Sequence, residues 1–167
     1  ELIKQNSLSN NIVKHIFKDH SGTIWIATFG GLNKFNNKPN SFARFQYSPE
    51  NKKGISGNKV NCIYEDVTGT IWVGTESGVN KFDRIQNKFK LFTPRINFNL
   101  SQSTNNVWSI YDDVKSNVLY VGSDVGLTVF DRENGASFTV VMPTANKAAS
   151  TAVTSIYNIS EQQLLIG

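Results

Sequence analysis

The sequence predicts an all-β protein built from repeated four-stranded antiparallel sheets, and three observations support this fold class. The segment around Trp25 recurs around Trp72, 47 positions further along the chain. Four short β-rich segments follow one another in the same order within each unit, with turn residues between them. No segment shows the 3.6-residue apolar period of an amphipathic helix. Units of this size with four strands each are typical of the blades of a β-propeller.

The first strand of each unit carries apolar residues on both of its faces, as an inner strand between two neighbouring blades would. Its copies lie at residues 13–17, 60–64, 107–111 and 153–157. The second strand places a large aromatic side chain at a fixed position. We expect these aromatic residues, which are Trp25, Trp72 and Tyr120, to pack between adjacent blades.

Two turns recur with the same chemistry in successive units. The turn after the first strand begins with Asp19 or Asp66 and ends with Gly22 or Gly69. The aspartate can accept backbone N–H groups within the turn, and glycine permits a positive φ. In the third unit Asn117 replaces the glycine, and asparagine also tolerates a positive φ. A second recurring turn precedes the third strand and ends with a glycine in three units: Gly31, Gly78 and Gly126.

The repeats predict about 3.5 blades, too few for this chain alone to close a ring. The predicted divisions are residues 1–5 as the last strand of a preceding blade, 11–47, 58–95 and 105–142 as blades 1 to 3, and 152–167 as the first two strands of blade 4. We therefore expect a piece of a longer propeller. The alternative is a homodimer, in which two copies of the chain complete one ring.

Composition limits the classes of function. Of 167 residues, 39% are hydrophobic, which is enough for a packed core. The net charge is +4, and the basic residues are scattered, so no nucleic-acid partner is expected. The apolar runs are too short for a membrane-spanning helix, so we expect no direct insertion of this segment into a membrane. The single cysteine excludes an intrachain disulfide.

Few residue types suited to catalysis or metal binding occur in the chain. The two histidines, His15 and His20, have no cluster of further ligands, so no metal and no cofactor are expected. Cys62 and His15 occupy equivalent positions in adjacent units and could be neighbours, but no third residue would orient them for nucleophilic catalysis. The acidic pairs 65–66 and 112–113 recur at the same place, which favours turn capping over a glycosidase pair.

The stretch from Ile63 to Asp83 closely resembles the two-component regulator propeller repeat, and residues 6–13 are similar to the linker between its blades. This resemblance implies the periplasmic sensor region of a hybrid two-component system of Bacteroidetes. Such a parent protein has a membrane helix, a histidine kinase and a response regulator, none of which lies in this chain. The chain itself is therefore expected to be no enzyme. Many such sensors respond to glycan breakdown products and regulate polysaccharide-utilisation genes.

Antiparallel topology places the linkers between blades and the turns between second and third strands on one face, where propellers commonly bind ligands. Trp108 lies near this face, at a position where the other units have Lys14, Asn61 and Thr154. An aromatic ring beside asparagines suits a sugar, although Trp108 could also fill a local gap and the asparagines could serve as turn residues of the linkers. The candidate ligand-binding residues are Trp108, Asn105, Asn106, Asn58, Glu76, Asp124 and Phe29, with Asn10 and Asn11 on the same face.

Three functions follow from these patterns. The first is a non-enzymatic sensor that binds an oligosaccharide and acts through the rest of the parent chain. The second is a propeller enzyme, a lyase or hydrolase, which the lack of a converging histidine and acid set disfavours. The third is a scaffold for protein interactions.

Overall fold

The computed structural model describes residues 4–37, 40–92, 105–132, 136–140, 152–160 and 163–167. These residues form antiparallel strands, and no helix occurs among them. The predicted fold class is therefore confirmed: the strands make a series of propeller-like blades that does not close into a ring. Within the described ranges, no helix of the length and hydropathy needed to span a membrane is found.

The strands form four sheets, which we number 1 to 4 in chain order. Sheet 1 consists of β1 (Lys4–Gln5), β2 (Val13–Lys18), β3 (Ile24–Thr28), β4 (Gly31–Asn36) and β5 (Ser41–Phe45). Sheet 2 consists of β6 (Val60–Glu65), β7 (Ile71–Thr75), β8 (Gly78–Asp83) and β9 (Lys88–Phe92). Sheet 3 consists of β10 (Val107–Asp113), β11 (Val118–Ser123), β12 (Gly126–Asp131) and β13 (Ser137–Val140). Sheet 4 consists of β14 (Ile156–Ser160) and β15 (Gln163–Ile166).

Apart from β1, the strands of each sheet follow chain order from the inner strand outward, and the inner strands β2, β6, β10 and β14 contact one another in sequence. Strand β1 departs from the prediction. It pairs with β5, with Lys4 opposite Ala43, and so adds a fifth strand to the outer edge of sheet 1 instead of belonging to a separate preceding sheet. Residues 1–3 lie outside the described residues, and the other predicted blade boundaries stay predictions.

The hydrophobic core lies between successive sheets. Between sheets 1 and 2, Trp25 packs edge-on against Phe82, with ring centroids 5.2 Å apart. Trp72 packs against Phe92 of its own sheet at 5.5 Å, and both belong to a buried cluster with Val107 and Leu119 of sheet 3. Tyr120 packs against the smaller cluster between sheets 3 and 4. All three aromatic residues thus lie in apolar clusters between neighbouring sheets, where aromatic rings bury much apolar area.

The turn after the inner strand has the predicted geometry. Gly22 and Gly69 have φ values of 83° and 80°, and Asn117 has a φ of 55°. The Nε1–H group of Trp25 donates to Asp19 Oδ2 at 2.8 Å, and the Trp25 ring is thereby tied to the turn that precedes its strand. Asp66 and Trp72 repeat this bond at the same distance, so the two aspartates both cap the turn and orient the aromatic core residue.

Candidate functional site

The linkers into the inner strands and the turns between second and third strands meet at one edge of the sheets. Phe29 N–H donates to Ile12 O at 3.1 Å, and Glu76 N–H donates to Lys59 O at 3.1 Å. Sheet 3 has the same type of contact, from Asp124 N–H to Asn106 O. We call this the linker edge, formed by residues 9–12, 29–30, 56–59, 76–77, 105–106 and 124–125. All seven predicted ligand-binding residues lie at it or, in the case of Trp108, beside it.

A β-bulge occurs where the inner strands of sheets 1, 2 and 3 leave the linker edge. The register shifts between Val13 and His15 in sheet 1, and the shift recurs at equivalent positions in sheets 2 and 3. The extra residues in these bulges are Lys14, Asn61 and Trp108. A bulge changes the direction of one side chain and interrupts pairing locally, and bulges are common beside binding sites. The position at which the repeats differ, occupied by Lys14, Asn61 or Trp108, is therefore a bulge at the linker edge.

Trp108 is held in place by a hydrogen bond while part of its ring stays accessible. Its Nε1–H group donates to Asp124 Oδ1 at 2.6 Å. The side chain is half-buried and lines a groove along the inner strands, together with Asn61 and Ser109. We call this the inner groove; its remaining lining residues are Lys14, His15, Phe17, Cys62, Ile63, Tyr64 and Ile110. A fixed, partly exposed aromatic ring is the kind of surface on which a flat apolar ligand face can pack.

Two of the polar candidates at the linker edge, Glu76 and Asn58, already accept hydrogen bonds from backbone groups of the sheet 2 linker. Glu76 accepts backbone N–H groups from Asn58 at 3.1 Å and from Lys59 at 2.6 Å. Asn58 Oδ1 accepts the N–H of Tyr47. These carboxylate and amide oxygens therefore shape the linker of sheet 2. This is the structural role that the sequence left open for the asparagines of the linkers.

Sheet 3 is joined to sheet 2 at the same edge by Asn61, which is buried. Its Nδ2 group donates to Asn106 Oδ1 at 2.8 Å and to Val107 O at 2.9 Å. Asn105 forms a parallel bridge with Ser77. Asn61, the bulge residue of sheet 2, therefore holds in place the linker that leads into sheet 3, next to Trp108.

Phe29 lies at the sheet 1 end of the linker edge. The Nζ group of Lys14 lies 5.5 Å from the centroid of the Phe29 ring, within the range of a cation–π contact. Because Lys14 also lines the inner groove, this contact places one positive charge at the mouth of the groove.

His15 and Cys62 both line the inner groove, as neighbouring positions on adjacent inner strands. His15 Nδ1 accepts the backbone N–H of Ile63 at 3.1 Å, and burial lowers the pKa of the His15 imidazole. Burial also raises the pKa of the Cys62 thiol to about 12, although the hydrogen bond with Gly74 acts in the other direction. The thiol is therefore protonated at neutral pH, which disfavours nucleophilic chemistry. No group of three or more potential metal ligands occurs in the described ranges.

Two polar clamps that hold the linkers were not among the predicted residues. Asn33 Oδ1 accepts the N–H of Ser9 at 2.9 Å, and its Nδ2 group donates to Ser9 Oγ at the same distance. Asn80 and Ser56 repeat both bonds in sheet 2. The signal was present in the sequence, because this asparagine and serine recur at matching positions of the first two units.

The fold and the repeated linker clamps define this chain as a series of propeller blades. Residues 7–30 and 54–77 match the model of a family described as Two component regulator propeller. These two segments carry the resemblance to two-component regulator propeller repeats that the sequence predicted. Each matched segment covers a linker, an inner strand and the second strand.

Solved structures extend this similarity over nearly the whole chain. The extracellular domain of the hybrid two component system BT3049 from B. thetaiotaomicron is 26% identical, with a TM-score of 0.74 over 96% of this chain. The corresponding domain of the hybrid two component system BT4673 from the same organism is 19% identical, with a TM-score of 0.75 over 95% of this chain, and shows the fold. The chain spans only 22% and 20% of those two chains. No curated protein matches the sequence.

Proposed function

We propose that this chain is part of the extracytoplasmic sensor region of a hybrid two-component signalling protein. The observation that carries the proposal is the similarity of 96% of the chain to the extracellular domain of such a system, at 26% identity. The proposed location is the periplasm. The proposed parent protein carries a histidine kinase, and the catalytic step belongs to that domain.

The proposed ligand is a glycan-derived oligosaccharide bound where the inner groove opens at the linker edge. Trp108 supports this proposal because its ring is half-buried and oriented by Asp124. Sugars commonly present a C–H face to such a ring and hydroxyl groups to nearby amides and ammonium groups. Lys14 supplies an ammonium group in the same groove. Ligand binding would then shift the complete sensor toward one conformation. This change would be transmitted to the kinase and would switch on polysaccharide-utilisation genes.

The test is binding of oligosaccharides to the full chain with Trp108→Ala, measured by calorimetry across a panel of plant and host glycan fragments. We expect the variant to lose at least about tenfold in affinity for the glycan that the wild-type chain binds, because the stacking surface is removed. Phe138→Ala is the matched control, because Phe138 is an exposed aromatic residue on the outer strand of sheet 3.

Equal losses in both variants, or no binding by the wild-type chain to any glycan, would contradict the proposed site. Turnover of a glycan by the chain would instead favour a lyase or hydrolase. Capture of a protein partner through the linker edge, with no glycan binding, would favour an interaction scaffold.

A further inference from the structure

A groove of about 680 Å³ runs along β8 and β9 of sheet 2, near the end opposite the linker edge. Its wall includes the turn between β6 and β7 and the turn between β8 and β9. The basic residues of this wall are Lys53, Lys81, Arg84, Lys88, Lys90 and Arg132. We call it the basic groove.

The two arginines of the basic groove are neutralised, but its lysines are not. Arg84 and Arg132 pair with buried carboxylates of the sheets. Among the described residues, none of the four lysines forms an ion pair with a carboxylate. Asp83 is the one acidic residue in the described part of the wall, and its Oδ1 accepts two backbone N–H groups of its own turn. The groove therefore has a positive field, which attracts anionic partners.

Lys81 and Lys90 are directly opposite each other on β8 and β9. Like charges at paired positions of neighbouring strands destabilise a sheet. The equivalent pairs of the other sheets avoid this repulsion, because Lys34 faces Ala43 in sheet 1 and the sheet 3 pair is apolar. A local rule is thus broken in sheet 2 alone among these three sheets, which is typical of a functional position.

Aromatic rings orient the two opposed ammonium groups. Lys81 Nζ lies 5.4 Å from the centroid of the Trp72 ring, and Lys90 Nζ lies 5.0 Å from that of Phe92. Both distances are within the range of a cation–π contact, which leaves the remaining N–H groups of each ammonium free to donate. The two charges are therefore held in place and are available to a partner.

The spacing of the lysines along β9 matches that of an extended polypeptide. Lys88 lies two residues before Lys90, so both side chains project from the same face of the sheet, about 7 Å apart along the strand. An extended chain repeats this distance, because its alternate side chains also project to one side. Acidic residues at every second position of such a chain can meet both lysines, and Lys81 lies beside Lys90 to meet them as well.

We propose that the basic groove is a docking surface for an acidic polypeptide segment, bound in an extended conformation with carboxylates at alternate positions. Lys81, Lys88 and Lys90 bind these carboxylates through charge-assisted hydrogen bonds. Complementary charge of this kind selects a partner and its register. The surface is separate from the linker edge and does not rest on the function proposed for Trp108.

The test is calorimetric titration of the full chain with three short peptides. The first alternates glutamate and threonine, the second arranges the same residues in two blocks, and the third alternates glutamine and threonine. We expect the alternating acidic peptide to bind at least about fivefold more tightly than the neutral peptide, because several ion pairs form. It should also bind more tightly than the block peptide, and about 0.5 M salt should weaken its binding.

Lys81→Ala combined with Lys90→Ala should weaken binding of the alternating acidic peptide at least about fivefold, because two ion pairs are lost. Lys34→Ala is the matched control and should have no effect, since its ammonium group also lies over a tryptophan ring, but in sheet 1. Trp108→Ala should have no effect either, so this surface and the linker edge are tested separately. If the double variant fails to fold, Lys90→Gln replaces it and should weaken binding at least about twofold. Lys90 is exposed, so this substitution leaves the core unchanged.

The proposal is overturned if the wild-type chain binds no acidic peptide, if the neutral peptide binds as tightly, or if the lysine variants keep the wild-type affinity. Equal binding of the block peptide would also overturn it, because the spacing of the lysines would then select nothing. An oligothymidylate of equal charge that binds more tightly than the alternating acidic peptide would contradict a polypeptide partner.

Discussion

At the scale of single residues, Asp19 shows how one side chain joins a turn to the core. Its Oδ1 atom accepts the N–H of Thr23 at 2.8 Å, while its Oδ2 atom accepts Nε1–H of Trp25. Burial alone raises the pKa of Asp19, but the hydrogen bonds from Ser21, Trp25, Thr23 and Arg84 outweigh burial and lower this pKa to about 2. The bonds favour the charged form, so Asp19 stabilises the fold as a carboxylate.

The low pKa of Asp19 predicts a loss of stability in acid. A carboxyl group whose pKa is lower in the folded state stabilises the protein well above its unfolded pKa, here 3.8, and loses that effect as pH falls toward 2. We expect Asp19→Asn to cost about 2 kcal/mol at pH 7 and much less at pH 2. Urea unfolding of both proteins between pH 7 and pH 2 measures the difference.

Asp113→Asn is the control for this prediction. Asp113 has the equivalent place in the third repeat but caps an exposed turn, where its Oδ1 accepts the N–H of Lys115 and of Ser116. We expect a smaller loss at pH 7 from this substitution. An Asp19→Asn protein whose stability follows the wild-type curve at every pH would show that the charge of Asp19 contributes nothing.

At the scale of strands, the close approach of neighbouring sheets depends on a small residue near the end of the second strand. A Cβ atom added to Gly74 would lie 2.5 Å from Cys62 Sγ and 2.6 Å from Val107 Cγ1. Gly122 has the same constraint, since a Cβ there would lie 2.5 Å from Val153 O. The inner strand region of each following sheet therefore presses on this glycine, and a larger residue would separate the sheets.

We predict that Gly74→Ala destabilises the protein by about 1–3 kcal/mol, because overpacking forces the contacting side chains to shift. Thermal unfolding followed by circular dichroism measures the effect. Gly22→Ala is an informative control: nothing lies within 4 Å of an added Cβ there, and only the positive φ of 83° opposes it. A Gly74→Ala protein as stable as the wild type would contradict the tight contact between sheets 2 and 3.

At the scale of the whole molecule, charged side chains join successive sheets at the end opposite the linker edge. Arg84 donates through Nη1 to Asp19 Oδ2 at 2.9 Å in sheet 1 and through Nη2 to Glu65 Oε1 at 2.8 Å in sheet 2. Its Nε–H group donates to Gly69 O at 3.0 Å. His20 of sheet 1 also bonds to Glu65. This network supplements the apolar contact between sheets 1 and 2.

Arg84→Met should lower the free energy of unfolding by about 2 kcal/mol, because the buried carboxylate of Asp19 loses its cationic partner. A double-mutant cycle in urea with Asp19→Asn should give a coupling energy above about 0.5 kcal/mol. Arg44→Met is the control, because Arg44 bonds to Ser7 and to Leu8 O and joins no two sheets. Strict additivity of Arg84→Met and Asp19→Asn would exclude a direct bridge.

The sequence predicted where the ligand-binding candidates lie, but it did not predict the hydrogen bonds that they form. Repeats and antiparallel topology were enough to locate Trp108 and Asp124 near one edge, since strand direction alone decides which turns meet there. They did not reveal that Glu76 is occupied by backbone N–H groups of a linker. Arg84 was missed as well, because its partners lie on another strand and on another sheet.

The sequence by itself determined the strands, the turns and the aromatic positions of this protein. These features depend on neighbours within one repeat: glycine or asparagine where φ is positive, and an aspartate six residues before a tryptophan. Only the tertiary structure decided which side chains are buried and which charged groups lie beside them. Ile16 and Ile63 occupy the same place in their repeats, yet Ile16 is 65% exposed and Ile63 is 3% exposed. The physical reason is that Ile63 is covered by sheet 1, whereas no described residue covers the corresponding face of sheet 1.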